Sequence, residues 1–191
     1  QDVKKLIDML ADKGHSVPFE SVIFRFWFKL PIQADRQHIT HRIASNSGLS
    51  GRYRAMPLEW LRMPQNVLEI LNGPVGLSEI ELQYEALCRA NNEWYRSCLV
   101  SLKAGEKRGD ITNTQYKRVR EFIRGVLPQN NMTERITIIN LRSFANYYKL
   151  RSKPDAQPEI QYIAKEMLRL IEEKNICPIA IEALKRNQFQ I

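Results

Sequence analysis

Apolar residues recur along this chain at spacings that change character from one segment to the next. Val3, Leu6, Ile7 and Leu10 fall at helical intervals, and the run stops at Gly14, a usual position just past a helix end. From Val22 to Leu30 the period drops to two. Val22, Phe24, Phe26, Phe28 and Leu30 share one face, and Ile23, Arg25, Trp27 and Lys29 share the other. Such alternation predicts a β-strand covered on one side and partly on the other. Pro31 closes it. Residues 32–44 then read as a helix, followed by a Ser/Asn/Gly turn over 45–51. Pro57, Pro64, Gly73 and Pro74 punctuate what reads as an irregular surface loop.

Ser78 and Glu81 form a capping-box pattern ahead of a helix with Ile80, Tyr84, Leu87, Trp94, Cys98 and Leu102 as its inner face, ending near Gly105. Thr112 and Gln115 repeat the signal for a helix bearing Tyr116, Val119 and Ile123, up to Gly125. Ile136, Ile138 and Ile139 predict a short strand. Leu141, Phe144, Ala145 and Tyr148 predict a helix with Asn140 as its N-cap. Pro158 suits the first turn of a final long helix carrying Ile160, Ile163, Met167 and Ile171. Helices predominate, and the strands do not alternate with them regularly, so the fold class reads as α+β.

Composition narrows the setting. With 191 residues, 43% apolar and 26% charged, the chain fits one soluble domain with a real core. No stretch approaches the ~20 consecutive apolar residues of a membrane-spanning helix, and nothing at the start reads as a signal peptide. The opening glutamine stands in what looks like the middle of a pattern, so the true N-terminus is expected to be missing. Cys88, Cys98 and Cys177 are odd in number and lack C-x-x-C spacing, which fits a reducing cytoplasm rather than a disulfide framework or zinc knuckle. A net charge of +8 favours anionic partners, whether nucleic acid or a phosphorylated small molecule.

The densest polar cluster runs from Arg36 through Gln37, His38, Thr40, His41 and Arg42 into the Ser/Asn/Gly-rich segment ending at Arg52 and Tyr53. A helix there would place Gln37 with His41, and His38 with His41 and Arg42. The small hydroxyl-rich turn offers backbone N–H groups and Ser50 to an anion. Arg52 adds a guanidinium, which grips phosphate through two parallel hydrogen bonds. A phosphate site is one reading, and a solvated basic helix end with a turn is the default. Histidines at i,i+3 without a nearby carboxylate or thiol make a weak metal site, so no metal is assigned. A second cluster gathers Asn140, Arg142 and Asn146 at one helix start, with Arg151 near that helix's end. Capping is the default role for Asn140.

Together the two clusters resemble the flavin-dependent thymidylate synthases. That family carries Q-x-x-R-H-R-x-x-S-x-N-E-x-S-x-R-Y, and the run from Gln37 to Tyr53 keeps its spacing. Upstream, His15 to Glu20 is similar to H-x-S-P-F-E. Downstream, Arg124 to Pro128 resembles R-x-x-L-P, Asn140 to Arg151 resembles N-x-R-S-x-x-N-F-x-x-L-R, and Ala156 to Ile160 resembles A-Q-x-E-I. The match spans nearly the whole chain in order. Only the family's leading strand segment lacks a counterpart.

The resemblance implies one helix-rich α+β domain over residues 1–191 with a small, mostly antiparallel sheet. It implies reductive methylation of dUMP to dTMP with FAD as cofactor and NADPH and 5,10-methylenetetrahydrofolate as co-substrates. His41, Arg42, Asn140, Arg142 and Asn146 match positions that hold the flavin. Gln37, Leu49, Ser50, Gly51, Arg52 and Arg124 match positions that hold dUMP. Arg151 matches a catalytic arginine that favours ionisation of the uracil ring, and so also contacts the substrate. A homotetramer with shared active sites is implied, in the cytoplasm of a bacterium or of a phage host, without membrane or nucleic-acid partners. Thr40, Ser47, Gly48 and Val17 depart from the family pattern. They leave open a methylase of another pyrimidine nucleotide such as UMP, or a non-catalytic relative that binds nucleotide or nucleic acid.

Overall fold

A computed structural model describes residues 2–189, which fold as eight α-helices and three strands; 58% of the structure is helical. The strands are β1 (Ile23–Pro31), β2 (Ser45–Gly48) and β3 (Met132–Asn140), in the sheet order β1-β3-β2. The Leu141 N–H donates to Val22 O, and the Ile32 N–H donates to Asn131 O, which fixes β1 against β3 in antiparallel register. The α+β class with a small antiparallel sheet therefore stands. The alternation expected in β1 is also present: Phe24, Phe26 and Leu30 are buried, while Ile23 and Trp27 lie in the open.

Two compact units emerge from the contacts. The first comprises residues up to Phe28, Ala34–Ser47 and the chain from Arg135 onward. It holds α1 (Val3–Asp12), most of α2 (Ile32–His38), α6 (Leu141–Arg151), α7 (Pro158–Glu173) and α8 (Pro178–Arg186). α6 packs on α7, and α1 on α8. Apolar residues at helical spacing on α7 (Ile160, Ile163, Met167, Ile171) are buried, as are Leu141, Phe144 and Ala145 of α6. Phe24 meets Phe144 edge to face at 5.9 Å. Asp35 on α2 and Arg135 on β3 form a bidentate ion pair, both side chains nearly buried; Nη2 donates to Oδ2 at 2.5 Å.

The second unit comprises Lys29–Gln33 and Gly48–Glu134. It contains α3 (Gln65–Asn72), α4 (Ile80–Arg108) and α5 (Asn113–Ile123). Tyr95, Ile123 and Leu127 form its core, with Met56, Cys98, Leu99 and Leu102 packed against them. Asn92 and Asn131 exchange two amide hydrogen bonds at 3.1 and 2.8 Å, which satisfies both buried carboxamides. The Thr112–Gln115 capping box is fully formed at the start of α5.

Several local expectations are overturned. The helix expected over 32–44 stops at His38, because the Thr40 hydroxyl captures the Gln37 carbonyl at 2.7 Å and ends the ladder. The expected turn is instead partly strand β2, since residues 45–48 find a partner in β3. α3 occupies the segment read as a loop. α4 starts without a Ser78 cap, because Glu79 takes a left-handed conformation (φ 60°) immediately before Ile80. It also runs past Gly105 to Gly109, whose φ of 83° gives the left-handed ending that glycine adopts without strain. Gly105 stays inside the helix, where a Cβ would lie 3.8 Å from Ile111. The buried stripe of α4 is Cys88, Asn92 and Tyr95, and Leu87 and Trp94 are exposed. The long helix α7 is not the last, since α8 follows it.

The Asp35–Arg135 pair gives a stability test. Arg135→Met alone strands a buried carboxylate and should cost about 3–5 kcal/mol. Adding Asp35→Asn should restore much of that loss, and a double-mutant cycle in urea measures the coupling.

Candidate functional site

The Asn140 side chain accepts the Ser143 N–H at 2.8 Å, as the N-cap role requires, and so sets the start of α6. From there Arg142, Asn146 and Leu150, each four residues apart, form one stripe along the helix. Arg151 closes it as the last helical residue. This stripe lines a cavity of about 500 Å³, together with Ser143, Ile139 and the segment Thr40, His41, Arg42 and Ile43. The geometry thus gathers His41, Arg42, Arg142, Asn146 and Arg151 in one place within the first unit. Asn140 stands one step behind them as their cap.

Charge in the cavity is one-sided. Among the described residues, three arginines line it and no carboxylate does. Arg142 reaches out to Glu20 in an ion pair. Arg42 has no ion-pair or hydrogen-bond partner among the described residues. Arg151 is held by neutral groups: its Nε donates to His41 Nε2 at 2.7 Å, and its Nη2 donates to Thr40 Oγ1 at 3.2 Å. His41 must therefore carry its proton on Nδ1. Burial holds the His41 imidazole below the usual histidine range, and the neighbouring Arg151 charge adds to this.

Behind that wall lies a buried polar chain that sequence reasoning did not foresee. The His38 ring contacts Tyr147 OH through Nδ1 at 2.9 Å and Thr137 Oγ1 through Nε2 at 2.8 Å. Thr137 in turn donates to Asn46 Oδ1 at 2.7 Å. That donation leaves the Thr137 oxygen to accept from His38 Nε2–H, so Nδ1 accepts the Tyr147 proton. Burial pushes the His38 pKa down to about 4, partly countered by Asp35 and reinforced by Arg135, His41 and Arg151. Tyr147 is raised, again chiefly by burial. With both ring nitrogens engaged by hydroxyls, His38 is a structural imidazole. Its ring partners come from β3 and α6, far along the chain.

Gln37 lies beside this region and donates through Nε2 to Gln157 Oε1 ahead of α7. The remaining expected residues belong to the second unit. Leu49 donates its N–H to Glu134 O at 2.9 Å, and Ser50 O accepts from Tyr53 and Arg54, each at 3.0 Å. Gly51 is buried under Arg124: a Cβ there would stand 2.8 Å from Arg124 Cδ and 3.2 Å from Nη1. Glycine at 51 therefore lets the Arg124 side chain lie against the turn. Arg52 Nε pairs with Glu121 at 3.2 Å. Glu20, Thr137 and Tyr147 were missed. Glu20 and Tyr147 lay inside matched blocks, and Thr137 looks like an ordinary strand residue until the fold buries it.

Comparisons with known proteins fall on the same blocks. The family model described as thymidylate synthase complementing protein matches residues 1–179. The chain is 35% identical to a protein of Kosmotoga olearia named flavin-dependent thymidylate synthase, over 94% of this chain and 75% of that one. It is 34% identical to the protein of that name from Thermotoga neapolitana, over 98% of this chain and 78% of the relative.

The low His38 pKa sets a pH dependence. Because the folded value, about 4, lies below the ordinary 6.5, the unfolded chain binds more protons between the two. The stabilisation is complete above the ordinary value and is lost as pH falls toward the folded one, by roughly 3 kcal/mol at most. Urea unfolding between pH 7.5 and 4.5 should show a shallower loss for His38→Asn than for the unaltered chain.

Proposed function

This chain belongs to the thymidylate synthase complementing protein family, and from that premise we propose that it is a flavin-dependent thymidylate synthase. It would convert dUMP to dTMP. The observation that carries this reading is the cavity between α6 and the Thr40–Ile43 segment, with three guanidiniums and, among the described residues, no carboxylate on its wall. Such a site suits a ligand with phosphate charge and hydrogen-bonding edges. Arg42, Arg142, Asn146 and His41 are the residues that would hold FAD there, with Asn140 fixing the helix that presents Arg142 and Asn146.

When bound, the reduced flavin supplies a hydride, with NADPH as the source of reducing equivalents and methylenetetrahydrofolate as the source of the one-carbon unit. The chain's own contribution is electrostatic. Arg151 would stabilise negative charge developing on the uracil ring, which makes C5 the better nucleophile without a covalent adduct. Its anchoring by neutral groups, His41 and Thr40, leaves that charge uncompensated. Arg52 and Arg124 would meet the nucleotide phosphate, and Gln37, Leu49, Ser50 and Gly51 the rest of dUMP. None of the three cysteines lines the cavity, which fits chemistry without a thiol nucleophile.

We read residues 1–191 as one domain of the family, since the match runs through residues of both units. Exposed Trp27, Leu87, Trp94 and Phe122 support assembly into a homotetramer with shared sites. No helix among the described residues is long and apolar enough to cross a membrane. A bacterial or phage-host cytoplasm is the setting this reading proposes.

The purified protein should show flavin absorption bands and form dTMP from dUMP only with methylenetetrahydrofolate and NADPH. A protein that takes up no added FAD and turns over no dUMP would sink the proposal. Losing a charge-assisted partner is worth ~1.5–3 kcal/mol, or about ten- to a hundredfold. Arg42→Ala should weaken FAD binding by that factor in a flavin titration. Arg52→Ala and Arg151→Ala should each lose at least as much in kcat/KM for dUMP while remaining folded. Replacing Cys88, Cys98 and Cys177 together with Ala should lower stability and leave turnover running. A folded cysteine-free protein that binds both ligands and is inactive would refute the thiol-independent mechanism.

A further inference from the structure

The buried chain behind the cavity meets its wall at the His41 backbone, whose N–H donates to His38 O at 3.4 Å, and through the Tyr147 ring. Tyr147 packs against His38 at 5.3 Å on one side and against His41 at 4.6 Å on the other, both edge to face. His38, Tyr147 and Thr137 are each at most 3% exposed. Their hydrogen bonds run in one direction: Tyr147 O–H to His38 Nδ1, His38 Nε2–H to Thr137, Thr137 O–H to Asn46. Asn46 at its far end is exposed, but both ring nitrogens of buried His38 are matched, and reversing the His38–Tyr147 link would leave the buried Tyr147 O–H without its acceptor. Tyr147, its first member, is therefore a fixed surface for the His41 ring. His41 then fixes Arg151 through the 2.7 Å bond to Nε, and Thr40 holds the same guanidinium at Nη2.

We propose that His38 is a positioning residue of the cavity: through the Tyr147 ring it orients His41, and through His41 it sets where the Arg151 guanidinium stands. The proposal rests on reading this cavity as the reaction site. His38 faces charged and titratable groups from each neighbouring element, namely Asp35 on α2, Arg135 on β3, Arg151 on α6 and His41 in the turn. None of these takes one of its two ring hydrogen bonds. The position is thus defined by hydroxyls, which cannot be exchanged for ion pairs when ligands enter or leave. A misplaced catalytic group costs rate far more than it costs substrate binding. His38 should accordingly act on kcat and leave KM for dUMP nearly unchanged.

The test separates the two ring nitrogens. An asparagine at 38 places an acceptor where Nδ1 stands and keeps the Tyr147 contact, whereas a glutamine places a donor where Nε2 stands and keeps the Thr137 contact. His41 reports the result, because its imidazole is held low by burial and by Arg151 and should rise toward 6.5 once its ring is released. Imidazole NMR titrations of the unaltered chain, His38→Asn, His38→Gln, His38→Phe and Tyr147→Phe give the comparison, with amide dispersion as the check of folding. His38→Gln, His38→Phe and Tyr147→Phe should raise the His41 pKa and cut kcat by about tenfold or more. His38→Asn should keep both close to the unaltered values. Tyr147→Phe removes a single oxygen and carries the test if His38→Phe does not fold. An unchanged His41 titration in a folded His38→Gln or Tyr147→Phe overturns the proposal. So does rescue by glutamine and not by asparagine, which would assign the effect to the strand at Thr137. Absence of flavin binding and turnover in the unaltered protein would count against the functional reading alone, since the titrations need neither.

Discussion

A neutral histidine buried between a strand and a helix is the constraint from which the rest of the cavity follows. Taking the His38 ring out of water leaves a donor and an acceptor to satisfy, and each lost bond would cost about 1–3 kcal/mol. Thr137 on β3 and Tyr147 on α6 supply the partners. Both elements are therefore tied to the end of α2. The helix ends there, where the Thr40 hydroxyl bonds the Gln37 carbonyl, and the chain turns through Thr40 and His41. That turn is what brings two neutral acceptors within reach of Arg151.

The cavity separates the cations it neutralises from those it leaves available. Asp35 fully engages Arg135 deep in the same unit, and Glu20 engages Arg142 near the surface. Arg151 meets only an imidazole and a hydroxyl. A guanidinium held by neutral groups keeps its field while losing its freedom, which is the arrangement electrostatic catalysis requires. Thr40 contributes directly to this. Where the family pattern places an arginine, a threonine both ends α2 by bonding the Gln37 carbonyl and accepts from Arg151. A second cation at 40 would stand against Arg151, so the departure at this position fits the way this chain holds its arginine.

In the second unit the same logic appears with smaller parts. Gly51 admits Arg124 by having no side chain, and Glu121 holds Arg52 in place. Each guanidinium is positioned by something other than the ligand it is proposed to meet. Preorganisation of this kind lowers the conformational entropy that binding would otherwise remove.

Period and punctuation in the sequence determined β1, α6 and α7, where the local signal and the burial agree, and the start of α5, whose expected face kept Ile123 inside but left Val119 exposed and buried Arg120 instead. Phe24 and Phe26 alternate inward, Thr112 caps α5, Asn140 caps α6, and Ile160 to Ile171 form one apolar stripe. The residues of the candidate site were legible as well, since arginines, histidine and asparagines crowd two short runs at spacings that resemble a known pattern. What the sequence could not determine was decided by partners far along the chain. Residues 45–48 became a strand because β3 lay beside them. The inner face of α4 kept Cys98 and Leu102 but exchanged Leu87 and Trp94 for Cys88, Asn92 and Tyr95, where Asn131, Ile123 and Leu127 supplied matching surfaces. His38 stood out only as one of a polar cluster, and nothing local joined it to Thr137 or Tyr147. Their role exists only once a fold excludes water from them, because a hydroxyl and an imidazole need each other only where no solvent can take either one's place.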